Sequence, residues 1–104
     1  MDTPAKAAPY TCAGHTVRGR TIPEHLVEGL DAYINYGRNT GSFLQAVLCN
    51  DLRDAVNRAD DAALMALPAI LGWLYWEAPG QCWKSAENVE AWRIKGGFCG
   101  ATLR

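Results

Sequence analysis

The chain has 104 residues, is 49% hydrophobic and carries a formal net charge of −1, which suits one compact domain burying roughly two-thirds of its unfolded surface without metals or disulfides. The charge is uneven: residues 1–21 set Asp2 against Lys6, Arg18 and Arg20, residues 22–79 hold eight acids against three bases, and residues 80–104 hold four bases against two acids. No continuous basic stripe results, which argues against a duplex nucleic-acid binder, and the acidic middle is too mild for a DNA mimic.

Residues 1–20, MDTPAKAAPYTCAGHTVRGR, contain two prolines, two glycines and no period, and are expected to form an extended or partly disordered arm. Thr21-Ile-Pro-Glu24 then has the form of a capping box, with Thr21 as N-cap and Pro23 in the first turn. The helix that follows has an apolar stripe of Leu26, Leu30, Tyr33 and Ile34, acids towards its start, and Gly37 placed to close it in the left-handed conformation. Ser42-Phe-Leu-Gln45 repeats the capping-box form and predicts a second helix from Ser42 to about Arg58, striped by Leu44, Val47, Leu48, Leu52 and Ala55. Asp51 falls near the middle of that stripe. A carboxylate there needs a cation or several donors, so Asp51 either locks the bundle or is a polar anchor lining a binding site.

Asp60-Asp61 caps a predicted third helix over 61–78, which Pro68 should kink or divide. This helix is apolar all round. One face holds Leu64, Leu67, Ile70, Leu71, Leu74 and Tyr75, and the other holds Met65, Ala66, Ala69, Gly72, Trp73 and Trp76. A helix of that kind is either central or has a second surface to cover, so an interface built on Met65, Ala69, Gly72, Trp73 and Trp76 is expected, first of all for self-association. The apolar run from Ala62 to Trp76, interrupted by Pro68, is short of the ~20 residues that span a bilayer, and no membrane association is expected. Ser85 caps a fourth helix with Val89 and Trp92 inward, and Gly96-Gly97 ends it, leaving 98–104 as a tail. The expected fold is therefore all-α, a bundle of about four helices over residues 21–97 behind an N-terminal arm.

The start lacks the basic segment, apolar core and cleavage site of a leader, so a cytoplasmic protein is expected. Cys12, Cys49, Cys82 and Cys99 then read as free thiols packed as small apolar groups. Cys12 and His15 make only a lone C-x-x-H pair; no metal or other cofactor is expected. Catalysis has little to work with, since the only histidines are His15 in the arm and His25 near the start of the first helix, and the pairs Asp51/Asp54 and Asp60/Asp61 are explained by stripe edge and cap. No P-loop, H-E-x-x-H or G-x-G-x-x-G occurs.

IPEHL, Y-x-x-Y-G, GSFLQAVLCNDLRDAV-x-RAD, LPAI-x-x-WLY and CWKSAENVEAW, spread over about residues 22–93, resemble a group of small proteins encoded in tailed-phage and prophage genomes. Lys84 stands where that pattern has glycine and Ala86 where it has proline, and the arm before residue 21 is longer. The resemblance implies a phage accessory protein in an infected bacterial host, and small phage proteins of this size often antagonise host defence.

The connector YGRNTGSFL, residues 36–44, carries more polar capacity than a turn requires. A helix start at Gly41-Ser42 with Arg38 and Thr40 beside it is a seat for one phosphate or carboxylate, and equally an ordinary capped turn. Tyr36, Trp83 and other aromatics suffice to stack bases, and Arg38 and Lys84 to neutralise phosphates. Two functions of different class follow. One is sequestration of a small nucleotide-type ligand by Tyr36, Arg38, Thr40, Gly41, Ser42, Asp51, Trp83 and Lys84. The other is blockade of a host defence protein through the tryptophan-rich or acidic surface. A phage structural or regulatory subunit is the third possibility.

Overall fold

The computed structural model describes residues 10–100. In chain order these form β1 (Thr16–Val17), β2 (Arg20–Thr21), α1 (Glu24–Tyr36), α2 (Ser42–Leu48), α3 (Leu52–Arg58), α4 (Asp61–Trp76), a 3₁₀ turn at Gly80–Cys82, α5 (Ala86–Lys95) and α6 (Gly97–Gly100). The fold is mostly helical but not all-α. Positions 1–9 of the expected arm and 101–104 of the expected tail lie outside the described residues.

The hairpin departs from the sequence expectation. Arg18 (φ 55) and Gly19 (φ 79) both take left-handed backbone, the two-residue loop whose twist matches antiparallel strands. Thr16 pairs with Thr21 and Val17 with Arg20, and the two threonine hydroxyls share a 2.9 Å hydrogen bond. Because Thr21 belongs to this ladder, α1 takes Pro23 as its N-cap, without a side-chain cap bond. Proline's fixed φ suits a helix entry, and its carbonyl accepts from Leu26 and Val27 at 2.9 and 3.0 Å.

α1 buries its predicted stripe of Leu26, Leu30, Tyr33 and Ile34 and closes at Gly37 (φ 74), where the Gly37 amide donates to the Tyr33 carbonyl and that of Arg38 to Ala32. The predicted second helix is two helices. α2 ends where Asn50 turns left-handed (φ 66), a conformation asparagine tolerates better than most residues. Asp51 then restarts the chain by accepting from the Asp54 amide at 3.2 Å as N-cap of α3. At Ser42 the N-cap is Gly41, and the serine makes no cap bond.

Asp60 caps α4 by accepting from the Ala63 amide at 2.8 Å, and α4 then runs unbroken through Pro68. Pro68 is on the solvent side, where a missing amide bends a helix at least cost. Ser85 caps α5 through the Asn88 amide at 3.1 Å, and Gly96 (φ 87) ends it. α6 then lies against the end of α1. A Cβ on Gly97 would stand 2.5 Å from the Tyr36 and Gly37 amide nitrogens.

The core gathers Leu30, Tyr33 and Ile34 of α1, Phe43, Leu44, Val47 and Leu48 of α2, Ile70, Trp73 and Leu74 of α4, and Val89 and Trp92 of α5, with Cys12 and Cys82 as small apolar fillers. Two of its aromatic side chains satisfy their polar atoms on backbone carbonyls. The Trp92 indole donates to the Tyr33 and Ile34 carbonyls at 3.2 and 3.0 Å, and the Tyr33 hydroxyl donates to the Cys82 carbonyl at 2.6 Å. Among the described residues no helix is long and apolar enough to cross a membrane.

Candidate functional site

The residues expected to hold a ligand are held in four separate ways. Arg38 lies over the Tyr36 ring, 5.9 Å from its centroid, at the exposed end of α1. Thr40 directs its hydroxyl to the neighbouring Gly41 carbonyl at 3.2 Å, while Gly41 is extended and accepts from the Gln45 amide at 3.0 Å. Ser42 and Asp51 do come together, in an open groove of about 420 Å³ shared with Gln45, Ala46, Cys49, Asp54, Arg58 and Ala86. Trp83 and Lys84 form a turn docked on α2, where the Lys84 amide donates to the Leu48 carbonyl at 2.7 Å.

Electrostatics set that groove against phosphate. It carries Asp51 and Asp54 against Arg58, and Arg58 is already paired to Asp54 at 2.9 Å. Burial, and then the nearby Asp51 carboxylate, push the Cys49 thiol upward. Asp51 is exposed, because the chain breaks at Asn50 and the carboxylate is turned to capping; the expected core position exists only if the helix is continuous. Trp83 is only 9% exposed, with its carbonyl accepting from the Asn88 side chain at 2.8 Å. Its ring is a packing element rather than an open stacking platform. Lys84 holds φ 94, a conformation glycine adopts with less strain, and its ammonium lies 5.8 Å from the Trp83 ring centroid.

The expected interface divides. Ala69 and Trp73 are buried at 0% and 3% exposure, inside the monomer. Gly72 lies under the hairpin, with Val17 and His15 side-chain atoms 3.6 and 3.7 Å from where its Cβ would be. Met65 and Trp76 are exposed, at 46% and 75%. Beside them stand Leu64 and Tyr75, which the sequence puts on the face opposite the expected interface and which are outward. The Tyr75 and Trp76 rings meet edge to face at 4.9 Å. The outward face of α4 is thus a stripe of Leu64, Pro68 and Tyr75 flanked by Met65 and Trp76. Leu71 is half-buried along it.

Compared with protein-family models, curated proteins and solved structures, the chain matches none. The site therefore rests on its own geometry.

Sequence reasoning passed over one polar cluster altogether. Asn35, fully buried, accepts from the Tyr10 amide at 3.1 Å and donates to the Tyr10 carbonyl at 2.8 Å, pairing with the backbone as a neighbouring strand would. One turn earlier, Asp31 accepts from the Thr11 hydroxyl at 2.6 Å and the Cys12 amide at 2.8 Å. The i, i+4 spacing of Asp31 and Asn35 beside the apolar stripe was the available signal. Burial, then Asp31, push the Cys12 thiol up to about 12, and burial pushes Cys82 up to about 12. Both are poor nucleophiles.

Proposed function

We propose that the protein is a non-enzymatic binding protein that works by protein–protein contact, blocking a host defence protein as an oligomer assembled through the outward face of α4. The observation that carries this reading is the exposure of Leu64, Met65, Tyr75 and Trp76 together on one helix. Exposed apolar groups scattered singly are ordinary, whereas a contiguous aromatic and aliphatic face marks contact with another macromolecule. The dispersal of the expected ligand residues and the acidic lining of the groove at Asp51 favour this reading over capture of a nucleotide. The role against host defence comes from the resemblance to phage-encoded proteins, and the acidic middle of the chain suits a basic partner surface.

The test is affinity capture from host extract with the wild-type chain and with Tyr75→Ser/Trp76→Ser, followed by identification of retained proteins and small molecules by mass spectrometry. The expected result is a defined host protein held by the wild type and lost from the variant. Retention of a nucleotide-sized molecule, lost instead in Arg38→Ala, would replace this reading with sequestration.

A further inference from the structure

Trp76 projects from the C-terminal end of α4 with three-quarters of its surface exposed. At the N-terminal end of the same helix an open groove of about 410 Å³ is lined by Gly19, Arg20, Thr21 and Pro23 on one side and by Asp61, Ala62, Met65 and Ala66 on the other. That size is in the roughly 300–1,000 Å³ range of clefts that seat organic groups. Trp76 and Met65 are eleven residues apart, so at 100° per residue they fall within about 20° of one another around the helix and about 16 Å apart along it. A projecting aromatic and an open groove thus occupy the same flank at opposite ends.

Antiparallel two-fold pairing of two helices keeps the flank and exchanges the ends, and is self-complementary for this arrangement. With the axis between Ala69 and Ile70, Leu64 of one copy faces Tyr75 of the other and Pro68 faces Leu71. The indole then meets the groove beside Met65. Charge agrees with this placement. Glu77 follows Trp76 and is exposed, while Arg20 lines the groove with Arg18 exposed beside it; Asp61 is the like charge on that rim. Neither Arg20 nor Glu77 has an ion-pair partner among the described residues.

From this we infer that a second copy of the chain occupies the α4 face, in an antiparallel two-fold dimer where Trp76 of each copy inserts between the hairpin and α4 of the other. Arg20 covers the inserted ring and meets the incoming Glu77. The inference rests on the reading of α4 as a contact surface and names its occupant.

Sedimentation of the full chain tests it. The wild type is expected to show a dimer whose dissociation constant rises about thirtyfold or more in Trp76→Ala, the scale of a central aromatic anchor. Arg20→Glu and Glu77→Arg, each verified as folded by circular dichroism, should each weaken self-association. Mixing the two variants should restore a heterodimer, since both cross-pairs then become opposite in sign. A monomeric wild type, a dimer indifferent to Trp76→Ala, or a mixture that does not recover overturns the dimer. A monomeric wild type that still captures a host protein through Tyr75 and Trp76 overturns only the identity of the occupant. Loss of both overturns the contact surface as well.

Discussion

The C-terminal half of α1 and the outward face of α4 lie in one small domain and are finished in opposite ways. Around α1, the carbonyls of Tyr33 and Ile34 receive the Trp92 indole, Asn35 receives the Tyr10 backbone, and the Gly37 backbone receives Gly97. Along α4, Leu64, Met65, Tyr75 and Trp76 remain open to water. One region is closed by specific hydrogen bonds and backbone contact, the other by nothing the described residues supply. Stability and association are thereby assigned to different helices, and substitutions should separate them.

The largest effect is expected at Gly97. A methyl group there meets two backbone amides at 2.5 Å, on a residue whose φ is +76; Gly97→Ala should lower unfolding free energy by about 3 kcal/mol from overpacking and left-handed strain together. Denaturant unfolding measures it, and an unchanged midpoint would mean that α6 is not held against α1. Next comes Asn35→Ala, which strands the Tyr10 amide and carbonyl and should cost about 2 kcal/mol. The same change should speed reaction of Cys12 with a thiol reagent, because Asn35 holds Tyr10, two residues before it in the same segment.

Lys84→Gly should work in the other direction. Relief of the positive φ is expected to stabilise by about 1 kcal/mol, less whatever the lysine contributes over Trp83. A lower melting temperature in that variant would show the ring contact to outweigh the strain. Tyr75→Ser/Trp76→Ser should leave monomer stability within about 0.5 kcal/mol, as surface changes do, while abolishing association. A large loss of stability would place those rings in the fold and erase the contrast between the two helices.

pH gives a further check on the interior. Cys12 and Cys82 hold their protons to about 12 when folded, against an ordinary 9.0. The neutral thiols therefore stabilise the fold fully below pH 9, and that contribution is lost as pH rises from 9 towards 12. Thermal melts should be flat with respect to these groups near neutrality and fall above pH 9, by less in Cys82→Ala.

Much of α1 was legible because its stripe has polar contrast: Leu26, Leu30, Tyr33 and Ile34 recur at helical spacing among acids. The caps at Asp60 and Ser85 and the left-handed glycines at 37 and 96 were equally plain, since each residue type has a local mechanism. The break at Asn50 was hidden by a stripe that stays in phase across it; Asp51, read as a misplaced core residue, was the N-cap that marked the restart. On α4 the inner and outer sides could not be told apart by periodicity, because a helix apolar all round offers no contrast. The spacing accordingly puts Trp73 on the expected interface and leaves Leu64 and Tyr75 off it, the reverse of their exposure. The hairpin escaped because two-residue strands cannot show alternation. Of the candidate ligand residues, Ser42 and Asp51 share a groove, and nothing local in the sequence separated them from Tyr36, Arg38 and Trp83.

The edge contact between the Tyr10 and Phe98 rings, centroids 5.2 Å apart, has a topological consequence. The first and last described segments of the chain lie side by side on α1, so residues 10–100 nearly close into a loop. Linking residue 100 to residue 10 and reopening the chain between Arg38 and Gly41 would give a circular permutant of the described segment with α1 as its final helix and every interhelical contact kept. Such a permutant would move the chain's free ends into the YGRNTGSFL connector.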